Sequence, residues 1–242
     1  MSLKEYKVWD ASTRIFHWVN VICVLSLIAI GTAILNASAL GASNNGKILL
    51  KTIHVYVGYV FAINLAWRLV WAFVGGPYAR WSALLPFRKG YATQLGHELS
   101  AVRQGKPVSY LGHTPLGRMA VTVLLLILTV QAVTGIVLAG TDVYMPPFGR
   151  MIAEWVAADG LDPALVRPYA HETVNKEAYD AMRAMRSPVV QTHEQMYFVL
   201  LGLIVLHIAA VVLTELRHGG GIISAMFTGR KTLSVDPQDR AP

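Results

Sequence analysis

Four stretches of this chain, residues 15–35, 54–74, 119–139 and 193–213, are apolar over the roughly 20 residues that a helix needs to cross a hydrocarbon core of about 30 Å. No other feature limits the fold as strongly. Backbone groups inside a bilayer have no water to bond, so a chain crosses as helices or as a closed barrel, and runs this long and continuously apolar are helical. The sequence predicts an all-α membrane protein: a four-transmembrane-helix bundle in the lipid bilayer, forming a single membrane domain over residues 1–242 with a long outer loop at 140–190. Composition agrees, since 54% hydrophobic with 14% charged residues is a balance that soluble domains rarely reach. The net charge of +7 would suggest nucleic acid in a soluble chain. Here it has a membrane cause, because Lys and Arg gather in cytoplasmic loops, and no nucleic-acid partner is expected.

The opening MSLKEYKVWD carries both charge signs and has no small-residue cleavage site before the first apolar run, so that run is expected to stay in the mature protein. Cys23 is the only cysteine. That excludes an internal disulfide, a Cys-rich zinc or iron–sulfur site, and a C-x-x-C-H motif for covalent haem. With the N-terminus inside, thirteen basic residues fall in the inner segments, among them Arg14, Arg88, Arg118, Arg217, Lys231 and Arg240, against seven outside. Both termini are therefore assigned to the cytoplasmic side of an inner (cytoplasmic) membrane. Of the two long connections, 75–117 contains QLGHELSAVRQG, a weakly patterned helix for the membrane surface. Within 140–190, MIAEWVAA and NKEAYDAMRAMR are expected to be short helices over the outer mouth of the bundle.

Four of the eight histidines, His17, His54, His193 and His207, lie within or at the ends of the spans. Ionisable side chains at membrane depth are costly and mark function. His193 and His207 are 14 residues apart, which at 100° and 1.5 Å per residue puts them within about 40° of one face and about 21 Å apart along the helix. The direction of each helix then matches His17 with His207 at inner depth and His54 with His193 at outer depth. Neutral imidazole is a good iron ligand, and bundles build metal sites from facing helices. Two depth-matched pairs predict two non-covalent, bis-histidine haems b. Iron held this way has no open position, so electron transfer is expected rather than oxygen chemistry, and no catalytic residue is assigned.

Arg68, 14 residues after His54, falls near the depth of the inner pair. There it serves either haem propionates or lipid phosphate. Arg14, one turn before His17, has the same two options. Gly31, Gly58, Gly135 and Gly202 suit either a flat macrocycle or ordinary helix packing. His97, His113, His171 and His218 are expected at surfaces or interfaces, Glu194 at a helix start, and Trp9, Trp18, Trp67, Trp71 and Trp81 in an interfacial aromatic belt.

The run V-W-D-A-S-T-R-I-F-H-W at helix 1, His54 with R-L-V-W-A-F-V-G-G in helix 2, Y-L-G-H-T-P-L-G-R-M opening helix 3, T-H-E with the gap to His207 in helix 4, and the tail A-M-F-T-G-R-K carry a further inference. Taken together they resemble the prokaryotic cytochrome b561 superfamily, which includes the b-type cytochrome subunits of nickel–iron hydrogenases and the related formate dehydrogenase gamma subunits. The resemblance covers nearly the whole chain outside 140–190. It implies an electron-transfer subunit of a quinone-linked respiratory complex. One partner is then a periplasmic redox protein: a hydrogenase, a dehydrogenase or a c-type cytochrome. Quinone is the other, as substrate, handled near Arg14, Arg68 and the start of helix 3. The long outer loop would cap the outer haem and form part of a docking face. A free-standing quinone oxidoreductase using superoxide or another small donor is the alternative.

Overall fold

The computed structural model describes residues 3–87, 89–106, 109–218, 221–233 and 236–239. Arg88 and Arg240 lie outside them, as do the side chains of Arg217 and His218. In chain order the elements are β1 (Lys4–Lys7), α1 (Ala11–Leu35), α2 (Asn44–Val74), α3 (Trp81–Leu84), α4 (Tyr91–Arg103), α5 (Pro115–Val143), α6 (Gly149–Val156), α7 (Lys176–His218), α8 (Ile222–Thr228) and β2 (Arg230–Leu233). Four of them, α1, α2, α5 and α7, are long and apolar enough to cross a membrane.

Each long helix outruns its apolar core, because capping residues rather than hydropathy set the ends. The Asp10 carboxylate accepts the Thr13 amide at 2.7 Å and starts α1 ahead of residue 15. Ser43 Oγ accepts the Gly46 amide at 3.2 Å and starts α2 ten residues before His54. Thr114 Oγ1 accepts from Gly117 at 3.0 Å, with Pro115 in the first turn of α5 where its missing N–H costs nothing. Asn175 Oδ1 takes the Ala178 amide at 3.1 Å, and Lys176 pairs with Asp180 at 2.7 Å, one turn on. NKEAYDAMRAMR is therefore the opening of the 43-residue α7, continuous through Pro188, and not a separate short helix. MIAEWVAA corresponds to α6, and QLGHELSAVRQG to α4. Along the spans, Ile22, Leu126 and Phe198 are each more than 60% exposed, which is the outward apolar surface that lipid wets.

The chain divides into two compact units. The terminal unit holds residues 1–19, 64–127 and 200–242, and the loop unit holds 20–63 and 128–199. In the terminal unit β1 and β2 pair antiparallel, Lys4 opposite Leu233 through Lys7 opposite Arg230, so both ends of the chain meet there. Val8, Trp9, Leu111, Ala225 and Leu233 form its apolar core. The carbonyl of Gly229 accepts the amides of Val8 at 2.8 Å and Trp9 at 3.1 Å. Gly229 has φ +79°, and a Cβ there would sit 2.6 Å from the Trp9 carbonyl, so only glycine fits. The loop unit has its own apolar cluster, formed by Ile152, Ala153, Val156, Val166 and Met182, which packs α6 onto the start of α7.

Candidate functional site

In the loop unit, α2 presents His54 and α7 presents His193, with ring centroids 6.4 Å apart and planes at 76°. His54 Nδ1 is buried and has no hydrogen-bond partner. His193 Nδ1 lies 2.8 Å from Thr134 Oγ1 on α5. Thr134 spends its own hydrogen on the Val130 carbonyl at 2.7 Å, so towards the imidazole it accepts. His193 therefore carries its proton on Nδ1 and keeps the lone pair of Nε2 for a ligand, the orientation that outer-shell partners give metal-binding histidines. Both rings lie beside glycines: a Cβ on Gly31 would meet His54 Cε1 at 3.5 Å and one on Gly135 would meet His193 Cε1 at 3.4 Å, ordinary contact distances. Gly58, one turn beyond His54, faces open space with no atom within 4 Å of a Cβ.

In the terminal unit, His17 of α1 lies within electrostatic range of His207 of α7. His17 Nδ1 is buried without a partner. Arg68 is 4% exposed, lies 5.9 Å over the Phe16 ring, and leaves Nη1 buried and unpartnered. It is therefore packed among protein side chains. Arg14 donates through Nη1 to the Phe227 carbonyl, tying α8 to α1, while its Nε stays buried and unpartnered.

His113, expected at a surface, packs its ring 5.0 Å from Trp9 and buries an unpartnered Nδ1. Burial, followed by the charges of Lys231, Arg68 and Arg118, pushes its pKa down to about 3, so it is neutral. Lys231 of β2 is 7% exposed and donates to the carbonyls of Tyr110 at 3.3 Å and Gly112 at 3.2 Å. Burial lowers its pKa to about 8 despite the nearby Asp239 carboxylate.

Several expectations are corrected by the packing. Trp18 donates to the Met226 carbonyl at 3.0 Å, Trp67 to Ser12 Oγ at 2.7 Å, and Trp71 to the Asp10 carboxylate at 3.1 Å, so these indoles also tie elements of the terminal unit together. Burial raises the Asp10 carboxyl, but hydrogen bonds from Thr13, Trp71 and Gly76 outweigh it and hold the pKa below the ordinary value. Glu194 sits mid-helix in α7 and caps nothing. It lines a cavity of about 280 Å³ with Ser38, Lys47, Lys51 and Tyr169. In the same unit Asp142 pairs with Lys51 at 2.8 Å and with Arg186, joining α2, α5 and α7. His97 is exposed on α4, and His171 stands edge-on to Tyr179 at 5.7 Å.

Residues 8–229 match the family model described as prokaryotic cytochrome b561. The chain belongs to the prokaryotic cytochrome b561 family. It is 25% identical to a protein of Rhizobium leguminosarum bv. viciae described as a probable Ni/Fe-hydrogenase B-type cytochrome subunit, over 96% of this chain and 90% of that one. A Bradyrhizobium diazoefficiens protein of the same description is 25% identical over 93% and 85%. A probable Ni/Fe-hydrogenase 1 B-type cytochrome subunit of Escherichia coli K12 is 30% identical over 55% and 60%. No solved structure matches.

A b561 cytochrome carries haem b, and the residues fit that group. With bonds of about 2.0–2.1 Å from imidazole nitrogen to metal, two imidazoles on opposite sides of one ion have centroids about 6 Å apart, close to the His54–His193 separation of 6.4 Å. Among the described residues no three His, Cys, Asp or Glu side chains converge on one point. Pairs of imidazoles suit a metal whose other ligands come from a macrocycle. The unpartnered Nδ1 atoms of His17 and His54 leave either ring free to present Nε2, as His193 does. Of the residues with a place in these sites, sequence reading missed Thr134, His113 and Lys231. A threonine in an apolar span carries no signal of its partner, and the other two lie in the G-H-T-P and G-R-K motifs quoted above.

Proposed function

We propose that this cytochrome holds two haems b, one between His54 and His193 and one between His17 and His207, and carries electrons between a periplasmic redox partner and the membrane quinone pool. Haem b, when bound, supplies a one-electron iron couple at a potential that the protein tunes. His54 with His193 and His17 with His207 would each hold one haem iron. Thr134 fixes the donor nitrogen of His193. Arg68, and the free Nε of Arg14 one turn from His17, provide positive charge for propionates.

The single observation that carries this reading is the His54–His193 pair, separated by one metal's width with one tautomer already set. The family and the names of its hydrogenase-subunit relatives support a hydrogenase as the redox partner, and the basic bias of the inner segments supports cytoplasmic termini in the inner membrane. The test is the pyridine haemochrome of the purified full-length chain. Two haems b per chain with a low-spin, bis-imidazole spectrum are expected. Colourless protein, or one haem in a fully loaded preparation, refutes it.

A further inference from the structure

Three polar groups of the terminal unit are shut off from solvent with hydrogen-bonding capacity to spare. Arg68 Nη1 and His113 Nδ1 have no partner. Lys231 uses two of its ammonium hydrogens, on the Tyr110 and Gly112 carbonyls. Both cations are more than nine-tenths buried, at 4% and 7% exposure. Neither takes part in an ion pair within 4 Å among the described residues. The neighbouring carboxylates are committed to backbone amides: Asp10 to Thr13 and Gly76, Asp239 to Leu111 and Gly112, and Glu98 to Leu116. A buried cation without a close anion is strongly destabilising. The two cations share a neighbourhood, since Lys231, Arg68 and His207 all act electrostatically on His113.

We propose that Lys231, with Arg68 and His113 Nδ1, forms the carboxylate-binding end of the His17–His207 haem site, so that the C-terminal strand β2 is part of the cofactor pocket. This rests on the two-haem reading above. Lys231 reaches the site because β2 pairs with β1, and because Gly229 and Trp9 lock the strand against the start of α1. Its ammonium lies 5.6 Å from the Trp9 ring that also packs on His113. The anion chemistry required is a carboxylate or a phosphate. A haem seated between His17 and His207 brings two carboxylates with it, and a lipid headgroup is the competing source.

The test uses the full-length chain and its K231M and K231R variants, produced in haem-deficient cells and loaded with protohaem or with its dimethyl ester, which lacks the carboxylates. Wild type with protohaem is expected to show two b-type components. In K231M one component shifts to lower potential, because loss of a nearby positive charge favours ferric iron, and that haem transfers to apomyoglobin at least tenfold faster. K231R restores both properties, and the His54–His193 component, unchanged throughout, reports that the fold is intact. With the dimethyl ester, wild type and K231M release the haem at the same rate. Equal protohaem release from wild type and K231M, or a difference in release that persists with the ester, overturns the assignment; a release difference that depends on added phosphatidylglycerol identifies lipid phosphate instead. A wild type with fewer than two haems removes the underlying reading, and this one with it.

Discussion

Thr134 shows how a neutral hydroxyl can set the tautomer of a histidine on another helix. Its single hydrogen goes to Val130, which leaves an acceptor facing His193 Nδ1 and a free lone pair at Nε2. Thr134→Val removes that acceptor at nearly constant volume. The expected outcome is a 10- to 100-fold weaker hold on one haem, read as faster transfer to apomyoglobin, with Thr134→Ser restoring it. His113 makes a different prediction. Its folded pKa of about 3 lies below the ordinary value of 6.5, so between these values the unfolded chain binds a proton that the folded chain refuses. Stability therefore falls as pH drops from 6.5 towards 3, and thermal unfolding in detergent should show a shallower acid slope for His113→Phe than for wild type. An equal slope rejects the burial of a neutral imidazole there. That His113 faces inward was invisible in the sequence, because its burial depends on Trp9 and Lys231, more than 100 residues away on either side.

Charged and capping groups join several helices here near their ends. Asp10 serves the start of α1, the Trp71 indole of α2 and the Gly76 amide beyond it. Asp10→Ala loses a helix cap and orphans two further donors, so a loss of about 2 kcal/mol is expected, measured as a lower unfolding temperature. Asp142 has the same role in the loop unit, facing Lys51 and Arg186. Asp142→Asn leaves two partly buried cations without a counter-charge, and a loss of about 3 kcal/mol is expected, larger at low salt than at high. Lys51→Met in the same background should recover part of it, because the unpaired cation and not the lost contact is the main cost. The existence and type of all four long helices were legible in the sequence, since 20 apolar residues admit few alternatives. Their ends were not, because a cap is one hydrogen bond and hydropathy does not register it. The two short helices foreseen between 140 and 190 divide for the same reason: α6 is separate, whereas NKEAYDAMRAMR runs into α7 without a stop signal strong enough to end it.

At the scale of the whole molecule, the division into two compact units places His17 and His207 in one and His54 and His193 in the other. The expected consequence is independence: His54→Ala or His193→Ala removes one haem and spares most of the other, and His17→Ala or His207→Ala does the reverse. Haem quantitation together with redox titration checks this, and four variants that all keep two haems would reject the pairing. The four membrane helices and the recurrence of histidine at two depths were determined by sequence alone, because bilayer thickness and helical pitch convert residue spacing into position without reference to any partner. Tertiary structure alone decided which distant groups meet: Thr134 of a third helix beside His193, His113 turned onto Trp9, and Lys231 brought to that same indole by a strand paired across the two ends of the chain. Periodicity along one helix reports depth and face, but the angle between helices and the pairing of distant segments depend on packing and on hydrogen bonds that no local pattern encodes.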